Sequence, residues 1–269
     1  MSRKHTLAGC RRRQARRNYV VITRRNLNLA DRALPLEPPC VDLLYESGPC
    51  LVVNKPSGVL TQAPPGIDSL ETRLKEFLRA REQLEGKVYL GVPHRLDRPA
   101  SGAMVFARHP RATRRLADQF EARTVEKTYW ACVAGRVEPS EGTWRDFMRK
   151  IPDQPRAEIV AEDHPDARIA VLHYRTIGAT PNGSLLEISL ETGRTHQVRL
   201  QAASRGFPLL GDEQYGSTIP FGKQHVDLRE RAIALHARRL ALSHPTTRES
   251  VSVVAPLSAA WRDLGVAEG

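Results

Sequence analysis

A single carboxylate stands among cations in the segment HRLDRPASG, residues 94–102. Asp97 follows His94 and Arg95 and directly precedes Arg98. Neighbouring positive charge stabilises the ionised form of a carboxylate, which would suit Asp97 to act as a nucleophile or as a general base. The alternative is a plain turn, because Asp, Pro, Ser and Gly shape tight turns and a solvated loop tolerates flanking cations. The segment alone does not decide between the two.

A second group of cations lies in the segment LETGRTHQVRLQAASRG, residues 190–206. We expect a strand to end here and a helix to begin, with Thr195 as the helix cap and Gly206 as its end. Three cations then cluster at a strand-to-helix junction and suit an anionic partner: Arg194, His196 and Arg199. The alternative for this stretch alone is a structural histidine and an arginine on the helix surface.

The composition is that of a folded globular protein, with 269 residues of which 41% are hydrophobic. No apolar run is long enough to cross a bilayer, and the N-terminus is rich in arginine where a secretory signal would be apolar, so we expect a cytoplasmic protein without membrane association. The four cysteines lack CxxC spacing and are expected to be free thiols. The sequence therefore predicts neither a disulfide framework nor a metal site.

The net charge of +11 is concentrated at the N-terminus. Nine of the 41 basic residues lie within residues 1–30, which contain no acidic residue. Such an arm is expected to contact nucleic acid, although a tail without a partner and an organellar transit peptide are alternatives. The proline-rich stretch ALPLEPPC follows it. We therefore expect a basic arm and linker over residues 1–39 and one folded domain over residues 40–269.

The hydrophobic pattern predicts an α+β domain. Two segments have helical spacing: SLETRLKEFLRAR at 69–81, with Ser69 as a possible cap, and PRATRRLADQFEAR at 110–123, which opens on Pro110. Seven segments are typical of strands: 50–53, 103–107, 127–135, 168–177, 184–190, 238–243 and 250–255. Consecutive strands joined by short turns favour a mixed, largely antiparallel sheet flanked by helices over a doubly wound fold.

The ordered motifs of this chain resemble those of the RluA-like pseudouridine synthases, from about Leu44 to the C-terminus. The resemblance rests on VVNKPSGVL, HRLDRPASG, EKTYWACVAG, LETGRTHQVRLQ, PLLGDEQYG and IALHARRLALSHP, in that order. Each motif is weak by itself, whereas their order and spacing are specific. One departure is Ala100, which stands where the family often has a threonine before Ser-Gly.

The resemblance implies the pseudouridine synthase fold, with a central active-site cleft, and an enzyme that isomerises selected uridines of rRNA or tRNA to pseudouridine. The bond from uracil N1 to ribose C1′ must break and the base must rejoin through C5, so one acid suffices and no cofactor is expected. By this resemblance Asp97 is the catalytic aspartate, Arg199 pairs with it, and Tyr129 is the active-site tyrosine that stacks on uracil.

A uridine inside folded RNA must leave its stack to reach Asp97. His94 and Arg95 are placed to help, with Arg95 filling the vacated position, while Arg194 and His196 are expected to contact backbone phosphates. The expected partner is RNA and the expected state is a monomer. Two other classes remain open, namely a noncatalytic RNA-binding protein on the same fold and an RNA or nucleoside hydrolase that releases free uracil.

Overall fold

A ten-stranded sheet forms the frame of residues 41–267, the part of the chain that this computed structural model describes. The basic arm and the linker up to residue 40 lie outside the described residues. The strands are β1 Leu43–Ser47, β2 Cys50–Lys55, β3 Ser101–Ala107, β4 Glu126–Ala134, β5 Glu141–Lys150, β6 Ala157–Ile159, β7 Arg168–Thr180, β8 Gly183–Leu190, β9 Leu235–Ser243 and β10 Ser250–Val254. The helices are α1 Leu70–Glu82, α2 Pro110–Glu121, α3 Gln197–Ala203 and α4 Ala259–Asp263.

The strand order is β1-β2-β3-β9-β4-β8-β7-β5-β6, and β10 pairs with β9 beside this path. Only the short contact of β3 with β9 is parallel among these pairings of the described chain; all the others are antiparallel. The predicted α+β class with a mixed, largely antiparallel sheet is therefore confirmed. All seven predicted strands are present, and both predicted helices begin at the expected places.

Three strands were not predicted, namely β1, β5 and β6. In β5, buried Trp144 lies between exposed residues and buried Met148 between half-buried ones, but charged side chains on both faces hide the period of two. Strand β6 has only three residues, and β1 is a half-buried edge strand. Edge positions tolerate polar residues, so the hydrophobic pattern is weakest there.

The helix cap predicted at Thr195 is wrong. Helix α3 begins at Gln197, and its N-cap position is His196, which has left-handed backbone angles of φ 54° and ψ 28° and makes no side-chain cap bond. The side chain of Gln197 stabilises the preceding turn instead, because its Oε1 accepts the backbone N–H of Arg194 at 3.0 Å and the hydroxyl of Thr192 at 2.8 Å. A glutamine inside the helix thus holds the turn that a cap residue was expected to hold.

The main core is continuous across the sheet and includes Leu74 and Leu78 of α1, Phe106 of β3 and Ile188 of β8. Both cysteines in the described part, Cys50 and Cys132, are free and buried, and burial raises the pKa of the Cys50 thiol to about 11. They pack as apolar side chains, as expected from the sequence. No helix within residues 41–267 combines the length and the apolar character needed to cross a membrane.

Gly102 sits where β3 meets β9 in parallel, directly after the HRLDRPAS segment. Its φ of +117° is disfavoured for L residues, and a Cβ atom there would overlap the backbone of Ala237. Only glycine therefore allows the two strands to approach at this point, which fixes where the segment with Asp97 enters the sheet.

Gly102→Ala should lower the free energy of unfolding by at least about 2 kcal/mol, because strain and overlap with a backbone combine. Gly86→Ala is the matched control, since Gly86 also has a positive φ, of 87°, but has open space around it. The control should lose only about 1 kcal/mol. Chemical denaturation of the three proteins measures the difference, and equal losses would show that the β3–β9 contact is not the constraint.

Candidate active site

A cavity of about 460 Å³ opens beside the start of β3, where residues from distant parts of the sequence meet. All seven residues singled out in the sequence line it, namely His94, Arg95, Asp97, Tyr129, Arg194, His196 and Arg199. Their motifs lie up to about a hundred positions apart, so tertiary structure is what brings them together.

Asp97 lies in the loop that precedes β3, and the backbone of its segment forms the expected turn. The backbone carbonyl of Asp97 accepts the N–H of Ala100 at 3.1 Å, which closes a tight turn. The side chain is 19% exposed and lines the cavity. Because the turn bond is between backbone groups, it forms with Ala100 in the place of the family's usual threonine.

Arg199 is buried on the first turns of α3, so the alternative of an arginine on the helix surface is wrong. Its Nε and Nη2 donate to the two carboxylate oxygens of Asp212, at 2.7 and 2.8 Å, and its Nη1 lies 3.4 Å from Oδ2 of Asp97. Burial opposes the charge, but Asp212 first and Asp97 next outweigh it and raise the pKa of Arg199 above its usual value. One guanidinium therefore joins the acid of the cavity to a second, buried acid.

His196 lies closest to the other carboxylate oxygen of Asp97. Its Nε2 lies 3.8 Å from Oδ1 of Asp97, and its Nδ1 lies 2.9 Å from the hydroxyl of Tyr215. Burial lowers the pKa of His196 against the opposing effect of Asp97, so the neutral ring predominates at neutral pH. The left-handed backbone at this residue is unusual outside glycine and directs the ring between the two partners.

Tyr129 is a nearly buried residue of β4, where the pairing with β9 shifts register between Thr128 and Tyr129. Such irregularities re-aim side chains next to active sites. Tyr129 belongs to the main core and also lines the cavity, so its packing role and its cavity position coexist. Burial, together with the negative charge of Asp97, raises the pKa of the Tyr129 hydroxyl above its usual range. The hydroxyl therefore stays protonated and can donate a hydrogen bond.

The remaining predicted residues occupy different depths. The ring of His94 stacks on Phe120 at 4.3 Å, and its Nε2 accepts the backbone N–H of Val105 at 3.0 Å. Burial, with the charge of Lys127 second, lowers the pKa of His94 to about 3, so this ring is uncharged. Arg95 is exposed at the mouth of the cavity. Arg194 is anchored at the rim by its Nε, which donates to the carbonyl of Ile169 at 2.9 Å.

Sequence analysis missed several residues that hold this arrangement. Lys55 is fully buried, and its ammonium donates to the carbonyls of Pro56, Arg98 and Ala100 at 2.9, 3.1 and 2.7 Å. Burial lowers the pKa of Lys55 to about 7, although the charge of Asp97 opposes this. The lysine thus ties β2 to the loop that carries Asp97. The only signal in the sequence was its place in the KPSG motif.

Asp212, Gln214 and Tyr215 were also missed, although all three lie in the quoted motif PLLGDEQYG. The side-chain oxygen of Gln214 accepts from Nη2 of Arg199 at 2.7 Å, and the Tyr215 ring centroid lies 5.0 Å from the guanidinium carbon. A second carboxylate, an amide and an aromatic face therefore enclose Arg199. The motif identified this segment as part of the family pattern, but it did not indicate that these side chains contact Arg199.

Asp212→Asn should lower the free energy of unfolding by about 3 kcal/mol, because it leaves the buried guanidinium of Arg199 without its main counter-charge. Asp146→Asn is the matched control, because Asp146 also makes a two-pronged contact with an arginine, Arg205, that is partly exposed. The control should lose about 1 kcal/mol or less. Denaturant titration measures both, and a loss at Asp212 no larger than at Asp146 would contradict the bridging role.

Comparison with known proteins identifies the family of this chain. Residues 49–204 match the family model described as RNA pseudouridylate synthase. The uncharacterized RNA pseudouridine synthase YhcT of Bacillus subtilis is 34% identical over 83% of this chain and 71% of its own length. Ribosomal large subunit pseudouridine synthase D of Xanthomonas campestris pv. campestris is 34% identical, covering 86% of this chain and 70% of its own length.

Two solved human structures have a similar fold. RNA pseudouridylate synthase domain containing 1 gives a TM-score of 0.62 with 26% identity and covers 83% of this chain and 86% of its own. RNA pseudouridylate synthase domain containing 4 gives a TM-score of 0.67 with 23% identity over 83% of this chain and 93% of its own, which shows the shared fold. The chain belongs to the RluA-like family of RNA pseudouridine synthases, isomerases that convert uridines in RNA to pseudouridine.

Proposed function

We propose that this enzyme isomerises uridine in ribosomal RNA and that Asp97 is the group that acts on the nucleoside. Support for ribosomal RNA comes from relatives at 34 and 35% identity that are named ribosomal large subunit pseudouridine synthase D. Transfer RNA is the alternative that the sequence left open. A monomeric state, a cytoplasmic location and an RNA-binding role for the arm of residues 1–30 stay predictions.

The position of Asp97 between Arg199 and His196 is the observation that carries the proposal. Oδ2 faces Nη1 of Arg199 at 3.4 Å, whereas Oδ1 makes no hydrogen bond within residues 41–267 and lies 3.8 Å from the His196 ring. In the nucleophilic route Oδ1 attacks ribose C1′, and the electrons of the broken C1′–N1 bond leave with uracil. In the alternative route the same carboxylate acts as a base and gives a glycal.

The second half of the reaction returns every group to its starting state. Uracil turns within the cavity, and C5 bonds to C1′ as the Asp97 carboxylate is expelled. A base then removes the C5 proton and N1 gains a proton, so the net change is the transfer of one proton from C5 to N1. Substrate and product are isomers, so the chemistry needs neither an oxidant nor a second substrate. What the protein must supply is a walled space that retains the detached base, and the cavity of about 460 Å³ offers one.

Tyr129 is proposed to form a wall of that space. Its ring, held in β4, is positioned to stack on uracil, and its protonated hydroxyl can donate a hydrogen bond to the base or to the sugar. The raised pKa argues against a phenolate base. Arg199, by contrast, is proposed to orient the Asp97 carboxylate and to stabilise its negative charge when it is expelled from C1′.

Four further residues are proposed to bind the RNA. Arg95, exposed at the cavity mouth, is placed to fill the position that the flipped uridine vacates. Arg194 is proposed to contact a backbone phosphate near the rim. His196, whose neutral and largely buried ring faces Asp97, is proposed to contact the nucleotide held there instead of a phosphate. His94 is uncharged and stacked on Phe120, so its contribution would be an apolar surface of the cavity and not a phosphate contact.

Deleting the gene should remove one or more pseudouridines from ribosomal RNA, and wild-type protein should restore them. Asp97→Asn should fail to restore them while it binds RNA nearly as well, because the amide keeps the shape and loses the charge on which both routes depend. Site-by-site pseudouridine mapping measures the outcome. Turnover by the variant within about tenfold of wild type would refute the role of Asp97. Loss of tRNA sites alone would refute the choice of ribosomal RNA.

Comparing Tyr129→Phe with Tyr129→Ala should separate stacking from hydrogen bonding. The Phe variant keeps the ring and loses the hydroxyl, so we expect it to keep RNA affinity and to lower kcat, by about 10²-fold if the hydroxyl moves a proton. The Ala variant should lose both RNA affinity and turnover. Single-turnover kinetics on the mapped RNA measures the affinity and the rate of each variant. Wild-type rates in both variants would show that Tyr129 serves only in packing.

A further inference from the structure

A smaller depression of about 220 Å³ adjoins the cavity that holds Asp97. Its lining combines an aromatic floor, two cations, an acid and two aliphatic side chains, namely Phe120, Arg123, Val125, Lys127, Leu190 and Glu191. All of these except Val125 also line the main cavity, so the two spaces are continuous. A nucleotide in the main cavity would therefore extend its backbone into or past this depression.

Two cations of the depression and one at the cavity rim come from three different elements. Arg123 follows α2, Lys127 lies in β4, and Arg194 lies between β8 and α3. The Nζ atom of Lys127 lies 3.9 Å from where a Cβ atom of Gly193 would be, and Gly193 is the chain neighbour of Arg194. The folded chain thus gathers positive charge that is dispersed in the sequence.

The positive charges of Arg123, Lys127 and Arg194 have few acidic partners in the described part of the protein. Within residues 41–267 none of them forms an ion pair within 4.0 Å, whereas many other arginines of the domain do. Glu191, the acid that lines the depression, is engaged by His173, with 2.5 Å between Oε1 and Nε2. Burial and then the charge of Arg123 lower the pKa of Lys127 and that of Arg194, which agrees with cations that face one another.

Arg123 occupies a backbone position that normally belongs to glycine. It has φ 57°, its N–H donates to the carbonyl of Phe120 at 3.2 Å, and the N–H of Thr124 donates to the carbonyl of Gln119 at 3.0 Å. This is the Schellman arrangement that ends α2, in which glycine avoids the strain that a side chain brings. The arginine side chain does not contribute to the cap bonds, so its charge at the depression is the feature that a glycine would lack.

We propose that Arg123 and Lys127, together with Arg194, form a subsite for one backbone phosphate of the RNA next to the flipped uridine. This inference rests on the proposed function. A phosphodiester supplies the acceptor oxygens and negative charge that the protein does not supply there. It is also bonded directly to the 3′ or 5′ oxygen of the ribose that is held at Asp97. Such a contact would set the position and direction of the nucleotide without reading its base.

The first test measures binding of a labelled 20-nucleotide oligouridylate to the full chain over a range of salt concentrations. The double variant Arg123→Gly, Lys127→Gln should raise Kd about tenfold, the loss expected for charge-assisted contacts. It should also reduce the log-log salt slope by about 0.7, the value for one phosphate of a single strand. An unchanged slope would overturn the subsite.

Arg123→Gly alone separates loss of binding from loss of folding. Glycine suits the left-handed position, so the melting temperature of this variant should equal or exceed that of wild type while RNA affinity falls. Arg136→Gln is the control for charge alone, because Arg136 is highly exposed and lies past the far end of β4, roughly 20 Å along the strand from Lys127. A loss of affinity in Arg136→Gln as large as that in Arg123→Gly would attribute the effect to net charge and contradict a localised subsite.

The second test neutralises single phosphates of the mapped substrate with methylphosphonate linkages. Wild-type enzyme should lose affinity about tenfold at one linkage beside the target uridine, and the double variant should be insensitive at that same linkage. Equal sensitivity of both proteins at every linkage would refute the subsite. If wild-type enzyme isomerises no uridine in any cellular RNA, the proposed function fails instead, and the two failures are distinct.

Discussion

The guanidinium of Arg199 is buried between two carboxylates, and the geometry of the site depends on this shared charge. Taking an arginine out of water costs several kcal/mol unless charge and hydrogen bonds compensate it. Asp212 compensates it with two contacts of 2.7 and 2.8 Å, which leaves Nη1 to face Asp97 at the longer distance of 3.4 Å. Asp97 is therefore oriented by a cation whose main partner lies elsewhere, and the carboxylate that faces the cavity keeps an oxygen that is available to react.

The same logic explains why an irregular loop can carry Asp97 without losing its shape. A loop near the core must satisfy its backbone carbonyls, and here side chains from other elements satisfy them. Lys55 of β2 bonds two of these carbonyls, those of Arg98 and Ala100, and the Thr61 hydroxyl both accepts the N–H of Leu96 and donates to its carbonyl, at 3.2 and 3.0 Å. Gly102 then allows the loop to enter the sheet beside β9. Substrate binding does not have to pay for this order, because the folded chain already holds it.

Local pattern was sufficient for most elements, and the order of the motifs, through the family resemblance, identified seven of the residues that line the cavity. Strands β7 and β10 have clear alternation, and Ser69 caps α1 as expected, since its side chain accepts the N–H of Thr72. Local pattern failed where the deciding contact is distant in sequence. Nothing near Lys55 indicates that its ammonium will meet a carbonyl 45 positions away, and nothing near Asp212 indicates a partner in another motif. At Thr195 the capping rule failed because Gln197 holds the turn, and the Gln197 side chain is itself fixed by its bond to the distant carbonyl of Val171.

Cations of this site therefore fall into two groups by depth, and the difference has a physical reason. Deep groups such as Arg199 and Lys55 must be satisfied by the protein itself, because almost none of their surface is accessible to solvent. Rim charges such as Arg123 and Lys127 retain partial access to water, so the free enzyme tolerates them without a protein partner. An anionic substrate that displaces this water becomes the missing partner. The buried charge of Arg199, which the protein compensates, orients Asp97. The rim charges of Arg123 and Lys127, which the described residues leave without an acidic partner, attract and position the RNA.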